Sequence, residues 1–103
     1  MGVIQNDCVI GVGCDFDKKE LKQIKQFIKE QGDYHNLFCI GYGSANGSIT
    51  VVMIPDGSKE GWGASDEADQ IRSRFIGMLN LIGWSWAKVS FGELGCCLVT
   101  SRG

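Results

Sequence analysis

NLFCIGYGSANGSITVVMIP, residues 36–55, reads as two strands joined by a turn, and this hairpin decides the fold. Residues 36–43 and 48–55 are rich in apolar and β-branched side chains, which suit a pleated, half-buried surface. Between them, Asn46 and Gly47 tolerate the positive φ angles that a tight hairpin needs. Pro55, the only proline, stands at the strand end, where a missing ladder donor costs little.

Helical patterns flank the hairpin on both sides. Upstream, Leu21, Ile24, Phe27 and Ile28 recur at helical spacing and predict a helix over 18–31. Asp17 with Glu20 approximates a capping box, and Gly32 suits a helix stop. Downstream, Ala68, Ile71, Phe75, Met78, Leu79 and Ile82 form a second buried stripe. Ser65 is its expected N-cap, Asp66, Glu67 and Asp69 suit the positive end of its dipole, and Gly83 ends it.

Further out, residues 8–16 alternate. Cys8, Ile10, Val12, Cys14 and Phe16 form an apolar face, expected to be the buried side of a strand, while Val9, Gly11, Gly13 and Asp15 face the other way. Residues 84–91 and 96–101 read as a second hairpin that turns at 92–95. The expected order is therefore β-α-β-β-α-β-β. Helices separated by hairpins imply an α+β two-layer sandwich: a mostly antiparallel sheet of about five strands, with both helices on one face. The first six elements look like the ferredoxin-like split βαβ order, an arrangement that hosts many unrelated functions.

The chain has 103 residues, the size of one domain, 1–103. Its net charge of −2 speaks against an overall field that attracts nucleic acid. Its first residues carry no basic region followed by an apolar run, and the apolar stretch at 75–82 is interrupted by Gly77 and Asn80. A cytoplasmic protein with no membrane partner is expected. The five cysteines, Cys8, Cys14, Cys39, Cys96 and Cys97, are an odd number in apolar strand surroundings, and are expected to be reduced core residues.

No motif for catalysis stands out. His35 is the only histidine and so the only His-type general base available. Cys-x-x-Cys pairs are absent, and neither Gly11/Gly13 nor Gly41/Gly43 continues into a nucleotide-binding fingerprint. Neither a cofactor nor a metal is expected. The first and third strands lack the stacking aromatics of an RNA-binding sheet. Lys18, Lys22, Lys25 and Lys29 share one face of helix one, either as a contact for nucleic acid or an acidic protein, or as a solvated surface. The strand glycines mark either a groove on a helix-free face or room for Trp84, Trp86 or Tyr42 to fold over them. Ile76 and Gly77 on helix two could admit close contact with another subunit or with another helix of the same chain.

These features point to a small non-enzymatic binding or regulatory module acting through protein–protein contact, with another protein or as a homodimer. Trp62, Tyr42, Trp84, Trp86 and Arg72 are its candidate binding residues. The alternative is a small-molecule-binding protein or small enzyme, with a pocket between the glycine-bearing sheet face and the 56–64 loop. Asp15, Tyr42 and Arg72 would be its polar contacts, and His35 its proton-transfer group.

Overall fold

A computed structural model describes residues 6–14, 18–56, 63–91 and 97–102. In chain order these form β1 (Asn6–Cys14), α1 (Lys18–Lys29), a 3₁₀ helix (Gly32–Leu37), β2 (Phe38–Tyr42), β3 (Ser48–Met53), α2 (Gly63–Ile82), β4 (Ser85–Phe91) and β5 (Cys97–Arg102). The fold is α+β. Its strands form one sheet in the order β2-β3-β1-β4-β5, with every neighbouring pair antiparallel.

Local chemistry sets the element ends. Asn46 and Gly47 take φ angles of 56° and 63°, the turn expected between β2 and β3. Gly83, at φ 77°, ends α2 with two backbone bonds: its own N–H donates to Asn80, and the Trp84 N–H donates to Leu79. Both bonds satisfy carbonyls that the helix end leaves open. Gly32 has the positive φ of a helix stop, 61°, but α1 has already ended at Lys29. The 3₁₀ helix then occupies residues expected to begin the second strand, because Tyr34 and Leu37 turn in to pack on the core. α2 starts at Gly63, two residues before the expected cap, so Ser65 lies inside the helix. Asp15, Phe16, Asp17, the turn at 92–95 and Cys96 lie outside the described residues.

The core lies between the helices and one face of the sheet. Val9, Ile49, Val51, Met53 and Phe38 from the strands meet Ile24 of α1 and Ile71, Phe75 and Leu79 of α2. Phe38 packs edge-on against Phe27 and Phe75, at 6.0 and 5.2 Å between ring centroids. Edge-to-face pairs of this kind add about 0.5–1.5 kcal/mol each beyond burial, and these two tie β2 to both helices.

The expected orientation of β1 is reversed. Val9 and Gly11 are buried beneath the helices, whereas Val12 is 42% exposed. The glycines explain the inversion. A Cβ on Gly11 would come within 2.7 Å of Leu79 Cδ2, and one on Gly13 would run into the Trp84 indole. Without side chains at these positions, α2 and Trp84 settle directly on the strand. At Gly11 and Gly13 the second reading of the strand glycines applies, since Leu79 and Trp84 fill that space, while Gly41 lies on the opposite face, in the row of Thr50 and Val12.

Candidate interaction surfaces

The antiparallel registers define the opposite, helix-free face. Cys39, Val52, Ile10, Ala87 and Ser101 stand side by side across the whole sheet. The adjacent row is Gly41, Thr50, Val12 and Ser85. On the other flank, Cys8 pairs with Val89, and Asn6 with Phe91. Val12 is 42%, Ile54 39% and Phe91 50% exposed. Among the described strand residues, none at a register position on this face is charged. Asp7 and Lys88 take positions of the helix-side parity. A sheet with one solvated face normally alternates apolar-in and polar-out. Here the open side carries no charge among the described strand residues, and Ile10, Val12, Val52, Ala87 and Val89 share it with Thr50 and Ser85.

Three thiols belong to this surface and not to the core, which corrects their expected placement. Cys8 and Cys14 are half-buried, and Cys39 is exposed on the edge strand β2. Partial burial raises the pKa of the Cys8 thiol above its ordinary value and so lowers its thiolate fraction.

The residues expected to bind a partner disperse. Tyr42, 62% exposed, lies at the β2 edge in the row of Ile49 and Gly13, on the helix side. Trp84 is only 4% exposed and covers Gly13. Trp86 is half-buried, and its indole N–H donates to Asn80 Oδ1 at 2.7 Å. Trp62 and most of the 56–64 loop lie outside the described residues.

Arg72 is the most deeply placed charge, at 2% exposure. It donates to Asp69 Oδ1 at 2.6 Å and faces Asp56 Oδ1 at 3.5 Å. These carboxylates bind the guanidinium as internal counter-ions. Among the described residues, its Nε and Nη1 have no hydrogen-bond partner.

His35 is exposed on the 3₁₀ helix, and its Nδ1–H donates to the Gly32 carbonyl at 2.7 Å. Tyr34 O–H donates to Glu67 Oε2 at 2.7 Å, linking the 3₁₀ helix to the first turns of α2. Lys18, Lys22, Lys25 and Lys29 are all exposed, which both readings of that stripe require. Ile76 packs on the core, and Gly77 has open space around it. Among the described residues, no helix is long and apolar enough to cross a membrane.

The helix-free face escaped the sequence reading because the residues that build it had been assigned to the core. The signal that could have revealed it was the pair of glycines on the other side of β1, which makes room for a close-packed helix. Comparison with protein-family models, curated proteins and solved structures finds no match to this chain.

Proposed function

We propose that this chain is a non-enzymatic binding module acting through protein–protein contact, and that its helix-free sheet face pairs with the same face of a second copy. The observation that carries this reading is the absence of charge, among the described strand residues, on a sheet face that exposes Val12 and Phe91. Symmetric pairing sets a surface against itself, so any charge near the axis would meet its own like. A face without charges avoids that penalty.

Area supports the same occupant. With strands ~4.8 Å apart and residues ~3.4 Å apart, the face covers roughly 450 Å², so two copies would bury about 900 Å² together. Specific interfaces begin near ~1,000 Å², which favours a concentration-dependent dimer over an obligate one. The two sheets would stack ~10 Å apart, as in a β-sandwich, with the helices outward.

The ferredoxin-like reading, with one added strand, is supported by β1 lying between β3 and β4, and by β5 extending the β4 side. The proposal extends to a cytoplasmic setting, where thiols on the contact face would stay reduced.

Sedimentation velocity from 5 to 200 µM tests the pairing (about these concentrations bracket a micromolar Kd). The expected result is a shift from monomer to dimer in the native chain, and monomer alone for Val12→Glu and Val52→Glu with unchanged circular dichroism. A native chain that stays monomeric throughout, or charged variants that still dimerise, would overturn it.

A further inference from the structure

On the opposite side of the molecule, α1 and α2 border an open groove of about 520 Å³. Its apolar lining comes from Met78, Leu81 and Ile82 at the end of α2, and its polar rim from Lys19, Lys22, Gln23 and Gln26 of α1 and from Glu30 just beyond it. Leu81 is 85% exposed, the most exposed of the large hydrophobic residues among those described. Met78 and Ile82 touch the core only from its margin.

We infer that this groove receives an acidic amphipathic helix of a partner protein. Length supports a helix: rim positions 19 to 30 run along α1 for roughly 16 Å, about three turns. A helix seated there would lie as a third beside two others, with leucine-like anchors over Leu81 and Met78.

Charge supports an acidic partner. Lys19 and Lys22 rim the groove close to the start of α1. Glu20 occupies the same turn but does not line the groove. Glu30, at the far end, disfavours carboxylates there, so the acidic end of the partner lies over Lys19 and Lys22. The sheet-face pairing is not required, because the groove and that face are on opposite sides of the molecule. If both contacts form, a dimer presents two such grooves, one on each outer surface.

The test uses two synthetic helical peptides with leucines at i, i+3, i+4 and i+7. One carries glutamates beside the leucines and the other lysines. Binding is read by fluorescence anisotropy, and its position by methyl signals of Met78, Leu81 and Ile82. The glutamate peptide should bind about tenfold tighter than the lysine peptide, shift those methyls, and weaken as salt rises. Leu81→Glu should abolish binding, and Lys19→Glu with Lys22→Glu should reverse the preference. Equal affinity for the two peptides, or shifts confined to other residues, would overturn the proposal. So would a Leu81→Glu chain that loses self-association, because the occupant would then be a second copy. Repeating the titration with the monomeric Val52→Glu chain separates the two surfaces. Retained peptide binding there upholds the groove whatever becomes of the sheet pairing, and lost binding overturns it as an independent site.

Discussion

The indole of Trp84 occupies the space into which a side chain on Gly13 would project. This contact joins the second residue after α2 to the C-terminal end of β1, and it helps determine which sheet face is covered. Substitutions on β1 should therefore rank by what each new methyl meets. Gly13→Ala forces a rigid ring aside and should cost about 2–3 kcal/mol. Gly11→Ala meets the flexible end of Leu79 at 2.7 and 2.9 Å, and should cost about 1 kcal/mol. Gly41→Ala has nothing nearer than the Thr50 carbonyl oxygen at 3.9 Å, and should be neutral or stabilising by about 0.5 kcal/mol. Urea unfolding of the three variants checks the order, and a Gly13→Ala chain as stable as native would refute the packing argument.

Arg72 and Asp56 provide a second test. Asp56 is 7% exposed and Arg72 2%, so removing the arginine takes a buried counter-charge from a carboxylate with little access to water. Arg72→Met should destabilise the chain by about 3–5 kcal/mol. Asp56→Ala leaves the guanidinium paired with Asp69, and the loss should be smaller, about 1–2 kcal/mol. Thermal and urea unfolding of both variants at neutral pH measure the difference. Equal losses would mean that Asp69 contributes little.

Tyr34 supplies a pH test. Its hydrogen bond to Glu67, then desolvation, then the negative charges of Glu67, Asp56 and Asp33 all raise the phenol above its ordinary pKa. The folded chain thus holds the proton more tightly than the unfolded one. The resulting stabilisation is complete below the unfolded pKa of ~10 and is lost as pH rises through the folded value. In a Tyr42→Phe background, tyrosinate absorbance should appear above pH ~10, and Glu67→Gln should move it downward. An unchanged titration in Glu67→Gln would show that the bond does not form in solution.

Much of the local structure was legible in the residues. Asn46-Gly47 announced its turn, Gly83 its helix end, and the 3.6-residue stripes the buried sides of both helices. These signals depend on neighbours within a few positions, where backbone sterics and side-chain direction decide the outcome. The 3₁₀ helix was not legible, because Tyr34 and Leu37 turn inward towards groups distant in the sequence. The candidate binding residues scattered for a similar reason. Trp84 and Arg72 were candidate binding residues, Trp84 also a candidate cover for the strand glycines, and packing draws both inside.

The sequence by itself determined the α+β class, the antiparallel hairpin and the alternation of β1, because each follows from local periodicity. Tertiary structure alone decided which side of β1 is buried. Hydrophobicity favoured Cys8, Ile10, Val12 and Cys14, but Val9, Gly11 and Gly13 face the core. A strand face is buried by whatever packs against it. Here two glycines let Leu79 and Trp84 approach more closely than any side chain would allow, leaving the apolar row across Ile10 and Val52 as the free surface.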